Sequence, residues 1–136
     1  MATITLPAHL DFLTHGLTLV VECAIAAGFP HARIMEIELA VEEALANICL
    51  YAYPNSRGEV EVRCVWDETQ HFLIELIDTG VPFDLLAQPA PDLTVDPAQR
   101  QIGGLGLPLI LTLMDHVTYH REGNRNILRL AVRLSL

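Results

Sequence analysis

The first residues of the chain alternate: "TITLP" carries apolar and polar positions with a period of two, which predicts a short strand ended by Pro7. The period then changes. Phe12, Leu13, Leu17, Val20, Val21 and Ala24 recur at helical spacing, predicting a helix from about Leu10 to Ala27 with Gly28 as its stop. A second helical period follows Pro30 and runs to about Tyr51, where "YPNSRG" breaks it. "EVEVRCVW" (59–66) alternates charged and apolar residues, and "HFLIELID" (71–78) alternates less strictly. Only "DETQ" separates them, so the two are expected to pair as an antiparallel hairpin.

From Thr79 to Gly103 no period is sustained, and this stretch holds four of the eight prolines. So long an irregular segment inside a small domain is expected to be a lid or binding loop. A third helix is predicted from about Leu105 to Met114. "HVTYHR" and "NILRLAVRLSL" then close the chain as strands around the turn "EGNR". The order β-α-α-β-β-lid-α-β-β predicts an α+β, two-layer sandwich, with helices on one face of a mostly antiparallel sheet. A single domain over residues 1–136, with a lid at about 79–103, is the expected organisation.

Composition narrows the function. The chain is 51% hydrophobic and 18% charged, which excludes a largely disordered protein. Its net charge of −9 argues against direct nucleic-acid binding, which depends on basic surface. No apolar run reaches membrane-spanning length and no secretory signal is visible, so a cytoplasmic location is expected. Cys23, Cys49 and Cys64 lie among apolar neighbours without metal-ligand spacing, and are expected to be buried free thiols. All eight basic residues are arginines. A phosphate-loop NTPase, a eukaryotic-type protein kinase and a Schiff-base enzyme each need a lysine and are thereby excluded.

On the second helix, Ile34, Ile37, Val41, Ala44, Leu45 and Ile48 form one apolar arc, the core face. Glu36, Glu43 and Asn47 cluster opposite, framed by Leu39, Leu50, Ala40 and Tyr51, while Glu38 and Glu42 supply a wet stripe. Glu43 and Asn47 stand one turn apart on one face. They read either as a solvated pair or as cleft residues: a carboxylate able to act as general base, and an amide oxygen able to ligate a hard cation such as magnesium. In "DTGVPFD" (78–84), Asp78 and Gly80 read either as a turn or as a carboxylate acceptor beside a glycine that lets a flat ring approach. "QIGGLGLPLI" (101–110) places glycines at the start of a helix, where backbone N–H groups can hold phosphate.

Taken in order and spacing, "EEALANICLYAYPN", "DTGVPFD" and "GGLGLPLI" resemble the N, G1 and G2 boxes of the ATPase superfamily that contains gyrase-type topoisomerases, ninety-kilodalton heat-shock chaperones and sensor histidine kinases. The chain is most similar to the short anti-sigma-factor serine kinases of bacteria, over nearly its whole length. The resemblance implies a Bergerat-type fold, ATP and Mg2+ as ligands, and serine/threonine kinase activity. It makes Glu43 the residue that activates the attacking hydroxyl and Asn47 the magnesium ligand. Asp78 becomes the acceptor of the adenine amino group, with Gly80 beside the ring. Gly104, Leu105 and Gly106 become the hinge between the lid and a helix whose N-terminus faces the phosphates. Arg100, upstream on the lid, reads as the side-chain cation at the terminal phosphate or as a solvated loop residue.

The expected partners are an anti-anti-sigma factor and a sigma factor, and the resemblance also implies a homodimer through the first strand and helix. Two departures stand out. Many relatives carry a small hydroxyl residue in the closing hairpin near the phosphates, where this chain offers Asn124 or Asn126. A basic docking residue of the first helix has His15 as its nearest substitute. A non-catalytic, nucleotide-gated switch that binds a partner is the alternative reading.

Overall fold

The computed structural model describes residues 1–66, 70–87 and 106–134. The chain begins with β1 (Ala2–Pro7), a 3-10 turn (Leu10–Phe12), α1 (Leu13–Ala26) and α2 (His31–Tyr51). It continues through β2 (Glu59–Trp66), β3 (His71–Asp78) and a 3-10 turn (Leu85–Ala87), then α3 (Gly106–Leu113), β4 (His116–Glu122) and β5 (Arg125–Arg133). The five strands make one sheet in the order β1-β2-β3-β5-β4, with every neighbouring pair antiparallel. The helices cover one face, so the predicted two-layer α+β sandwich is the observed one.

The first helix differs from expectation at its start. His9 Nδ1 accepts a hydrogen bond from the Asp11 amide at 3.1 Å, and residues 10–12 form a 3-10 turn before α1 begins. Its end follows from the sequence. Gly28 takes φ +91°, where a side chain would be strained. Its amide donates to Ile25 O at 3.0 Å and the Phe29 amide to Ala24 O at 3.3 Å, a Schellman closure that leaves Phe29 buried.

The weak alternation of β3 has a positional cause. As the central strand it buries Phe72, Ile74 and Leu76 against the helices, and between its two flanking strands Glu75 and Ile77 of its other face are buried as well. Glu75 is held there by Arg129, whose Nη2 and Nε donate to Oε2 at 2.7 and 3.1 Å. The arc read from α2 is all buried: Ile34, Ile37, Val41, Ala44, Leu45 and Ile48. Ala40 and Asn47 join it, because α2 lies between α1 and α3 and so has neighbours on more than one side. Arg33 at the start of α2 ties down the far end of α3, donating to Leu113 O at 2.5 Å and to Asp115 at 3.4 Å.

The segment after β3 is not irregular throughout. Leu85 is buried in the core, and Asp84 Oδ1 accepts from the Leu86 amide at 2.9 Å, closing a short turn. The first nine residues of the expected 79–103 lid are thus anchored to the body of the protein. The remainder of that stretch lies outside the described residues. No described helix is long and apolar enough to cross a membrane.

Candidate active site

Four polar side chains are buried in the described structure, and three of them meet at one end of the sheet. Asn47 comes from the last turns of α2, Asp78 from the end of β3 and Asn126 from the start of β5. All three line one pocket, whose apolar walls include Ala44, Ile48, Phe83, Leu85 and Leu128. Asp78 and Asn126 face each other in the β3–β5 register.

Asp78 is 4% exposed. Its Oδ1 accepts from the Gly80 amide at 2.9 Å and from Asn126 Nδ2 at 2.8 Å. Oδ2 makes no hydrogen bond among the described residues, so one carboxylate oxygen is left for a donor in the pocket. Burial pushes the Asp78 carboxyl above its ordinary value, and the Asn126 and Gly80 hydrogen bonds and the Arg121 charge only partly offset that. Asn47 has the same half-used character. Its Nδ2 donates to Glu43 O at 2.8 Å, one turn back, which leaves Oδ1 without a partner among the described residues. Glu43 is half-buried beside this pair, and its carboxyl is raised by burial and by the neighbouring Glu42.

Gly80 is required by contact rather than by backbone dihedral. A Cβ at this position would stand 2.2 Å from Ala52 O, the carbonyl that accepts the Val81 amide at 2.8 Å. The strand end is therefore pressed on the C-terminus of α2, which brings Asp78 level with Asn47. This contact with a helix end is by itself a reason for glycine at this position. Gly106 is the first residue of α3. Arg100, Gly104 and Leu105 lie outside the described residues.

Of the two asparagines that the closing hairpin offers, Asn126 is the one that enters the site: it stands against Asp78, because strand alternation continues Leu130 and Leu128 into position 126 on the inner face. Asn124 is exposed in the β4–β5 turn. Tyr119 and Arg121, both of β4, complete the cluster and were not singled out from sequence. The Tyr119 hydroxyl donates to Asn126 Oδ1 at 2.6 Å and Arg121 Nη1 to the same oxygen at 3.0 Å. The signal was there in the register: Arg121 pairs with Asn126, which pairs with Asp78. His15 is exposed on α1, 5.9 Å from the Phe12 ring. Cys64 is buried with its thiol pushed up to about 12 by burial and by Cys23, while Cys23 and Cys49 are only half-buried.

The donor set fits a magnesium nucleotide. Asn47 offers a hard amide oxygen to a cation whose other ligands come from phosphate and water. Asp78 offers an unused acceptor to an amino group inside an apolar slot.

Residues 6–132 match the family described as Histidine kinase-like ATPase domain. The serine-protein kinase RsbW of Listeria monocytogenes is 34% identical over 127 residues, covering 89% of this chain and 80% of the relative. The protein of the same name from Bacillus licheniformis is 37% identical over 99 residues, covering 66% of this chain and 59% of the relative. Among solved structures, the RsbU and RsbW domains of a Mycobacterium tuberculosis protein superpose with a TM-score of 0.65 at 14% identity, covering 98% of this chain and 32% of theirs. The histidine kinase domain of a blue-light activated kinase from Erythrobacter litoralis gives 0.58 at 16% identity, covering 91% of this chain and 60% of that one. At those identities the two structures speak for the fold, while the sequence matches speak for descent. The chain belongs to the histidine kinase-like ATPase family, and the curated relatives it matches include serine-protein kinases.

Proposed function

We propose that the chain is an ATP-dependent protein serine/threonine kinase that phosphorylates an anti-anti-sigma factor and holds a sigma factor once that protein is phosphorylated. The observation that carries the ATP reading is the pairing of two half-used polar groups in one pocket, Asp78 Oδ2 and Asn47 Oδ1. Asp78 accepts the amino group of adenine, and the apolar walls exclude water from that hydrogen bond. Asn47 holds Mg2+, which when bound neutralises charge on the phosphates. Glu43 takes the proton of the attacking serine hydroxyl. Its raised basicity suits that task, since a carboxylate of ordinary pKa is a weak proton acceptor near neutrality.

The segment through Arg100, Gly104, Leu105 and Gly106 supplies the lid, its hinge and the helix N-terminus at the phosphates, with Arg100 meeting the terminal phosphate. The protein acts in the cytoplasm as a homodimer, without direct contact to nucleic acid.

The test is calorimetric titration of Mg-ATP into wild type and Asp78→Asn, followed by transfer of labelled phosphate to a serine-bearing partner. Binding by wild type, loss in the variant and labelling of the partner are expected. Equal affinity in the two proteins would remove the adenine assignment, and binding without labelling would remove the kinase.

A further inference from the structure

Arg121 occupies an inward-facing position of β4, in line with Val117 and Tyr119, which pack against the core. It makes no ion pair among the described residues. Its guanidinium serves neutral oxygens instead: Nη1 donates to Gly80 O at 2.9 Å and to Asn126 Oδ1 at 3.0 Å, and Nε to Gly123 O at 3.2 Å. Its charge reaches the Asp78 carboxyl only as the last of the influences that offset burial, while its hydrogen bonds all go to two carbonyls and an amide, which makes it a placing device.

What it places is the amide of Asn126. That amide can present either its oxygen or its NH2 to Asp78, and only the NH2 is compatible with a carboxylate. Tyr119 does not force the choice, because a phenol can donate or accept. Arg121 does, because a guanidinium can only donate, so the amide oxygen must face it. Nδ2 is then left to donate to Asp78 Oδ1 at 2.8 Å and to Val81 O at 2.8 Å. With the Gly80 amide also on Oδ1, that oxygen is saturated and Oδ2 is the one turned to the ligand. The same guanidinium pins Gly80 O, so it fixes both the carboxylate and the backbone behind it.

We propose that Arg121 is a positioning residue for nucleotide-base selection, acting through Asn126 to hold Asp78 with one free oxygen toward a base that carries an amino group. The proposal rests on the reading of Asp78 as the base acceptor.

It is tested by measuring Kd for Mg-ATP and for Mg-ITP, in which a carbonyl replaces the amino group, in wild type, Arg121→Met, Arg121→Lys and Tyr119→Phe. Wild type should prefer ATP. Arg121→Met should weaken ATP by roughly tenfold and ITP little, compressing the preference, as loss of one charge-assisted hydrogen bond does. Arg121→Lys, still a pure donor, should recover part of the preference, and Tyr119→Phe should change it less than Arg121→Met. Adding Asn126→Ala to Arg121→Met should cost no further ATP preference, because the two act as one unit. Thermal melts identify variants that fail to fold, in which case Arg121→Lys and Tyr119→Phe carry the comparison. If Arg121→Met weakens both nucleotides equally, the residue is merely structural and the inference falls while the ATP reading stands. If wild type shows no preference for ATP, the reading of Asp78 falls and takes the inference with it.

Discussion

The inner face of β3 presents Phe72, Ile74, Leu76 and Asp78 in turn, opposite Val132, Leu130, Leu128 and Asn126 of β5. The first three pairs are apolar, and all their members are at most 5% exposed. At the far end Phe72 is joined by Phe29 and Trp66, with ring centroids 5.7 and 5.2 Å from its own. The fourth pair is equally buried and wholly polar. One strand thus runs from a site whose side chains do nothing but pack to one whose side chains cost stability to bury. The second kind of site persists in a fold only when something else compensates, and on the proposed reading that is a ligand at Asp78 Oδ2, the oxygen its described neighbours leave unused.

Glu75 sharpens the contrast. It is also a buried carboxylate of β3, three residues earlier, but it faces the other side of the sheet and is met by Arg129 and, at 3.7 Å, by Arg63. Charge meets charge there, and no oxygen is aimed into a pocket. Asp78 is met by an amide and a backbone N–H, which satisfy one oxygen and leave its charge in place. Burial alone does not mark a functional carboxylate, and the nature of its partners does.

The largest effect is expected at Glu43, beside the polar end of β3. Glu43→Gln is expected to lower phosphate transfer by about 100- to 10,000-fold while leaving Mg-ATP affinity intact, read by labelled transfer beside calorimetry. At the packing end, Phe72→Ala should cost about 3–5 kcal/mol in chemical denaturation, with the affinity of the folded fraction unchanged.

Asp78→Asn should invert that pattern. Affinity falls by about 10- to 100-fold, the worth of a hydrogen bond to a charged group, yet the melting temperature at pH 7 rises. The sign follows from the raised carboxyl: folding favours its protonated form, so ionisation destabilises the protein as pH climbs past the ordinary value of 3.8. The stability difference between variant and wild type should accordingly close in acid, and a melting series across pH would show it.

Gly80→Ala should cost about 1–3 kcal/mol, since the added methyl meets Ala52 O and the loop must shift. The smallest effect expected is in wild type itself: Mg-ATP affinity should decline as pH is lowered toward the raised value of Asp78, because the protonated acid no longer accepts the amino group. A flat profile there would detach Asp78 from the ligand.

Much of this was legible without coordinates. The core arc of α2, the β2–β3 hairpin, the stop at Gly28 and the antiparallel α+β plan all follow from periods of 3.6 and 2 and from turn residues, which are local properties of the chain. The pairing of Glu43 with Asn47 was legible for the same reason, being a spacing within one helix. The sequence could not say which side of Asp78 would be met, or by what. Asn126 lies 48 residues away and could not be told from Asn124 as the residue that enters the site; only the β3–β5 register set it against the carboxylate. Arg121 looked like any strand arginine until the register of β4 turned it inward.

Periodicity determined the elements and which face of each is apolar, because those depend on neighbours a few positions apart. The tertiary structure alone decided that Asp78 keeps one oxygen free, that Gly80 yields to a helix end, and that a half-buried arginine orients an amide. Each of these depends on which segments the sheet order makes adjacent, and hydrogen-bond direction is set by the partner across the ladder.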